Sequence, residues 1–242
     1  ATGFGVARAI GRDRAPRHGR THASRGSDGN REQGLHWRLQ HLRNRINETR
    51  RCPLYRQGRA KYLAKTLRFS LKDQLSFGDS LNFTACGGLA FRSPRLNFSS
   101  CVAAVFDQRD MNIYRFLERA IGPGAVFLDV GANIGLYSLP ASRLVGAGGR
   151  VLAFEAHPGT YGYLCANLER NRAGNVTPVN RAVGAFAGPV RLHYRPDNPG
   201  ETHVARDGEA GETVEQVTLD DYCRAAGLAR VDYIKIDVEG YE

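Results

Sequence analysis

Val126-Phe-Leu-Asp129-Val-Gly131-Ala-Asn133-Ile-Gly135 decides the fold: an apolar run of strand length passes straight into a glycine-rich turn. A strand apolar at nearly every position is buried on both faces, which is the habit of parallel sheets covered by helices. Downstream, the pattern predicts a helix over 134–145, a strand at Val151-Leu-Ala-Phe-Glu155, a helix over 158–171 and a strand from Val176 to Val179. Val190-Arg-Leu192-His-Tyr194 alternates like a half-exposed strand, and residues 195–213 read as a polar loop. Thr218 with Asp221 resembles a capping box opening a short helix that Gly227 closes, and Val231 to Asp237 forms the last strand. Upstream, Ile113, Phe116, Leu117, Ala120 and Ile121 line one helix face, stopped by Gly122-Pro-Gly124. Strand and helix in alternation imply an α/β fold: a doubly wound parallel sheet with right-handed crossovers and strand order 3-2-1-4.

The 242 residues, 42% hydrophobic and 24% charged, fit one globular domain with a tail. The net charge of +10 hides two regions. Residues 1–72 hold 18 Lys and Arg against 4 Asp and Glu, whereas residues 73–242 hold 16 against 20. The main domain is therefore mildly acidic, and a nucleic-acid or anionic-surface function rests on the basic N-terminal region alone. Residues 1–34, rich in Arg, Gly and Ser, lack the apolar surface to fold and are expected to be a disordered tail. Residues 35–106 read as two helices and a hairpin. Leu35, Leu39, Leu42 and Ile46 mark the first helix, and Leu63, Leu67, Leu71 and Leu75 the second. Each stripe suits packing on the main domain better than a membrane surface. The hairpin pairs Leu81–Ala85 with Leu89–Phe91 about Gly87-Gly88. The longest apolar stretch, Cys101 to Phe106, is far too short to span a bilayer. No apolar core segment follows the basic start, so no secretory signal is expected. Five scattered cysteines without a CxxC pair disfavour zinc and disulfides, and suggest reduced thiols in a cytoplasmic protein.

In doubly wound sheets the ligand lies outside the carboxyl ends of the strands, where each strand hands over to its loop. Gly131 and Gly135 allow a tight turn and a close approach to a ligand, and Asn133 tolerates a left-handed backbone. Glu155 ends the next strand, 20 residues beyond Gly135, where a carboxylate can accept hydrogen bonds from both hydroxyls of a ribose. The alternative is an exposed acid at a strand end. A dinucleotide is disfavoured because Leu136 stands where its fingerprint requires a third glycine, and no phosphate-binding loop of the G-x-x-x-x-G-K type occurs. Tyr137, Tyr161 and Tyr163 read as helix packing, and His157 as a helix-start residue near solvent. Lys235 shares a strand face with Asp237, and a structural ion pair is its favoured use.

Asp129-Val-Gly-Ala-Asn-Ile-Gly135, Phe154-Glu-Ala-His-Pro158 and Ile234-Lys-Ile-Asp-Val-Glu-Gly-Tyr-Glu242, in that order, resemble the FkbM family of S-adenosylmethionine-dependent methyltransferases. The resemblance covers about residues 107–242. It implies a class I, Rossmann-like methyltransferase sheet and O-methylation of a hydroxyl on a natural product, sugar or lipid. It places Asp129 and Gly131 near the donor's amino-acid and ribose portions, Glu155 on the ribose diol, and Asn180-Arg-Ala182 near the adenine edge. Asp237 would face the reactive centre. The donor-binding set is thus Asp129, Gly131, Asn133, Gly135, Glu155, Asn180 and Ala182. Carboxylates also suit a positive sulfur, and a hydroxyl acceptor benefits from a general base, with Asp237 the first candidate and Glu239 the second. Asp237, Glu239 and Glu242 could instead hold Mg²⁺, but no further acid is placed by sequence to complete its shell, so no metal site is assigned. The implied partner is a small-molecule or glycan acceptor, with no nucleic acid. Two departures stand out. Pro140 falls inside the expected helix and should kink or shorten it. The sequence ends just after the fourth core strand, which reads as a truncated sheet and hence a fragment.

Overall fold

The computed structural model describes residues 27–76, 78–95, 97–107, 112–194, 202–206 and 209–238. The chain divides into two compact units, residues 1–39 and 40–242. Helix α1 runs over Ser27–Arg51, so it begins inside the stretch expected to be a disordered tail. Residues 1–26 lie outside the described set.

In the second unit a 3₁₀ turn at Pro53–Gln57 leads into α2, Arg59–Leu75. The expected packing of its leucine stripe is corrected: the inward face carries Tyr62, Thr66, Phe69, Ser70 and Asp73, while Leu67, Leu71 and Leu75 are 43%, 57% and 67% exposed. Asp73 and Thr66 face inward because each has a partner there, whereas the buried Ser70 hydroxyl has none among the described residues. Asp73 accepts from Arg45 at 2.6 Å and from Arg95 at 3.3 Å, and the Thr66 and Thr49 hydroxyls pair at 2.8 Å. A buried acid so neutralised is tolerated where a lone charge would not be. Phe69 completes that face with an edge-on contact to Phe83, centroids 6.0 Å apart.

Strands β1 (Ser80–Ala85) and β2 (Leu89–Pro94) form the hairpin in full antiparallel register. Cys86, Gly87 and Gly88 all take positive φ at the turn. Helix α3, Phe98–Phe106, is capped by Asn97, whose side chain accepts from Ser100 N–H at 2.9 Å. Helix α4, Asn112–Ala120, turns Tyr114 and Leu117 inward but leaves Ile113 and Phe116 exposed, so the expected apolar face is only partly the packed one.

Strands β3 (Val126–Val130), β4 (Arg150–Phe154) and β5 (Val176–Val179) alternate with helices α5 (Ser138–Val145) and α6 (Pro158–Arg170). A second small sheet follows, from β6 (Ala182–Val183), β7 (Gly188–His193), β8 (His203–Val204) and β9 (Glu212–Val217). Helix α7 (Leu219–Ala225) and strand β10 (Tyr233–Ile236) complete the described elements. The main sheet has order β10-β3-β4-β5, all parallel, which is the 3-2-1-4 order read from sequence run from the other edge. The small sheet has order β6-β9-β7-β8; within the expected polar loop, 195–213, it places β8 and the first two residues of β9, and residues 195–201 and 207–208 lie outside the described set.

Alternate residues of β3 and β4 serve two cores. Phe127, Val151 and Ala153 pack in the core that includes the hairpin and α3, together with Leu139, Leu164 and Leu168 of α5 and α6. Leu128, Val130, Leu152 and Phe154 face the opposite way, against Val183, Val217, Leu219 and Tyr222. Order reverses between β3 and β10, so the crevice beyond their carboxyl ends is the place for a ligand. Helix α5 begins at Ser138 rather than residue 134, which puts Pro140 in its first turn. There the missing N–H costs no helical bond, and the helix is four residues shorter at its start than the 134–145 expected. No described helix is long and apolar enough to cross a membrane.

Candidate functional site

A cavity of about 300 Å³ opens beyond the carboxyl ends of β3, β4 and β10. Of the sequence-derived candidates, Gly131, Asn133, Glu155, Ala182 and Asp237 line it. Asp129, Gly135 and Asn180 do not, and Glu239 lies outside the described residues.

Glu155 leaves the end of β4 and is buried, with its carboxyl at the cavity wall. One oxygen accepts the Asn133 N–H at 2.8 Å and the other the His157 N–H at 2.9 Å. Burial raises its pKa to about 7, against the pull of these two N–H donors and of Lys235. The 131–135 loop folds around that acid. Asn133 sits at φ +51, and its own side chain accepts the Ile134 N–H at 2.8 Å, a local bond that stabilises this left-handed turn. Asn180 donates to the Glu155 and Ala156 carbonyls at 2.8 and 3.0 Å, so it fixes the β4 end from behind instead of lining the cavity.

The two glycines serve packing more than ligand access. A Cβ on Gly131, at φ +73, would stand 1.9 Å from the Asp237 carbonyl oxygen, so glycine here lets β10 run on past β3. A Cβ on Gly135, at φ +90, would meet Leu164 of α6 at 3.0 Å.

Asp129 is wholly buried beneath the cavity floor. Its Oδ2 accepts from Ser138 at 2.6 Å, and its Oδ1 has no hydrogen-bond partner though it lies 3.2 Å from Lys235 Nζ. Lys235 donates to the Gly131 carbonyl at 2.8 Å and stands 3.6 Å from Asp237 Oδ2, so the ion pair expected from its strand face is present. Asp237 itself is 61% exposed at the cavity mouth. Tyr137, read from sequence as packing, does pack against the main core, and it also lines the cavity with its ring 5.2 Å from the Lys235 ammonium, a cation–π distance. Burial pushes its hydroxyl pKa up, and Asp237 and Asp129 push it further.

The sequence reading also missed Thr160, Leu192 and His203 on the lining. The strand that carries Leu192 was expected over Val190–Tyr194, but β8, which carries His203, was not, and Thr160 is reached through His157. That histidine caps α6 by accepting from Thr160 N–H at 3.1 Å, and it stacks on Tyr194 at 4.0 Å. Among the described residues no cluster of His, Cys, Asp or Glu is placed to hold a metal.

Residues 129–242 match the family model of the methyltransferase FkbM domain. The chain is 26% identical, over 55% of its length, to "Hexuronic acid methyltransferase AglP" of Haloferax volcanii. It is 33% identical over 48% of its length to "Methyltransferase sdnD" of Sordaria araneosa. It is 34% identical over 50% of its length to "31-O-demethyl-FK506 methyltransferase FkbM" of Streptomyces tacrolimicus. These matches cover 53%, 56% and 57% of the relatives, so the chain spans about half the length of the curated relatives it matches.

Proposed function

From the match of residues 129–242 to the methyltransferase FkbM domain, we propose that the cavity takes S-adenosylmethionine for O-methylation of a hydroxyl on a sugar, lipid or other natural product. The observation that carries this reading is the buried Glu155 carboxyl at the end of β4, held by two backbone N–H groups of the loops it must face. Each oxygen keeps a lone pair for a further donor, which suits a vicinal diol. The wholly buried Asp129, its Oδ1 3.2 Å from Lys235 Nζ, adds negative charge beneath the cavity without lining it. Leu136 on the lining offers nothing to a pyrophosphate.

When bound, the donor supplies a methyl group on a positive sulfur for in-line displacement. Glu155 and Asp237 on the lining, with Asp129 beneath it, would set a negative field for a cationic donor, and Lys235 holds Asp129 and Asp237 in place. Ala182 and its neighbour Arg181, also on the lining, would face its base. Asp237, open at the mouth, takes the proton of the acceptor hydroxyl as the oxygen–methyl bond forms. Glu239, two residues on, is the other carboxylate for that step.

Calorimetric titration of S-adenosylhomocysteine into the full chain tests the reading. Saturable binding is expected, weakened by roughly ten- to a hundredfold in Glu155→Ala as charged hydrogen bonds are lost. Asp237→Asn should retain that binding while losing methyl transfer to hydroxylated acceptors, a uronic-acid glycan and a macrolide among them. Absence of binding heat in the unaltered chain would overturn the proposal.

A further inference from the structure

Helix α2 presents an apolar strip that nothing among the described residues covers. Ala60, Ala64, Leu67, Leu71 and Leu75 are all exposed. At 100° per residue they fall within one narrow sector, about a third of a turn or more from the Tyr62, Phe69 and Asp73 face. At 1.5 Å per residue the strip is about 22 Å long. Beside it run the cations: Lys61, Arg68 and Lys72 are exposed, and Lys65 is half-buried. The helix holds one acid, Asp73, and this is turned inward and neutralised by Arg45 and Arg95. The outward surface of α2 is therefore leucine on one side and positive charge on the other, with no exposed acid between.

From this arrangement we infer that α2 is a docking face for an anionic lipid bilayer, lying flat with its leucines in the acyl boundary and its cations among the headgroups. The charge pattern selects this occupant. A second copy of the chain would bring the same cations face to face, which is repulsive. A polyanion without an apolar phase would use the cations and leave the leucines in water. An anionic bilayer uses both sets at once, as interfacial amphipathic helices do. The strip's place on the second unit, together with the +14 balance of residues 1–72, adds long-range attraction to the same surface. The inference is independent of the methyl donor. It adds a location for the reaction: an acceptor carried on a lipid would be met at the membrane.

The test is flotation of the full chain with vesicles of phosphatidylcholine and phosphatidylglycerol at seven to three, against phosphatidylcholine alone. Binding to the anionic vesicles only is expected. Leu67→Gln, Leu71→Gln and Leu75→Gln combined should lower the partition coefficient on the order of a hundredfold, and Lys61→Gln, Arg68→Gln and Lys72→Gln combined by about as much. All six positions are exposed, so circular dichroism should be unchanged. Failure of the unaltered chain to float overturns the proposal, as does flotation indifferent to the leucine variant, which would assign the attraction to the basic tail. Sedimentation velocity closes the remaining route: a dimer dissociated by the leucine variant would make this face a self-contact and sink the membrane role.

Discussion

Glu155 should make the stability of this protein fall as pH rises from about 4.5 to about 7. In the unfolded chain the group titrates near 4.5, and in the fold near 7, because burial penalises the charged form. Below pH 4.5 both states are protonated and the group contributes no pH dependence. Between 4.5 and 7 the unfolded chain releases a proton that the folded chain keeps, so the folded state loses ground with rising pH. Above 7 both are ionised and the cost is constant. At 1.36 kcal/mol per pH unit the full penalty is about 3 kcal/mol, or roughly 6–12 °C in melting temperature for a chain of this size. The assay is thermal melting between pH 4.5 and 8.5 for the native protein and Glu155→Gln. The glutamine removes an acceptor and shifts the whole curve by a constant, so the informative quantity is the difference in slope between the two. The native protein should lose the stated amount relative to the variant across that interval. Parallel curves would refute the reasoning, since they would mean that the carboxyl titrates alike in both states.

Two further substitutions probe the walls of the site. Gly131→Ala meets the Asp237 backbone at 1.9 Å and must also hold φ at +73, so it should cost at least about 3 kcal/mol by urea unfolding and displace β10. Asn167→Ala removes bonds to the Arg92 N–H, the Arg92 carbonyl and the Ile134 carbonyl, at 2.7, 2.9 and 2.9 Å, and should cost about 3–6 kcal/mol with loosened binding at the 131–135 loop. Near-native melting in either variant would contradict the packing described.

The main sheet was legible because its strands are nearly continuous apolar runs, and Gly131 and Glu155 stand where those runs stop. The hairpin and the Thr218 cap, accepting from Asp221 N–H at 3.1 Å, were legible for a similar reason: local chemistry dictates them. The small sheet was not. Of its strands β7 showed its alternation at Val190–Tyr194, but β9 alternates exposed, polar residues with few inward ones and β6 and β8 are two residues each, so no apolar period announces the rest. Helix α2 was found but turned the wrong way, because leucine spacing reports a helix and cannot report that Arg45 and Thr49 wait for Asp73 and Thr66. Tyr137 escaped for a different reason. It belongs to a turn that was read as helix, and only the late start at Ser138 brings its ring under Lys235.

Asn167 and Asn171, one helical turn apart on α6, grip the outer edge of β2. Asn167 engages both backbone groups of Arg92, and Asn171 accepts from the Ala90 N–H at 3.0 Å while donating to its carbonyl at 2.7 Å. Two side-chain amides thus imitate the strand that would otherwise lie there. A lone ribbon of two strands is both marginal and adhesive, since its open rim invites a stranger's backbone. Here the rim is spoken for, and the hairpin gains a third strand's worth of bonding without exposing a fresh edge.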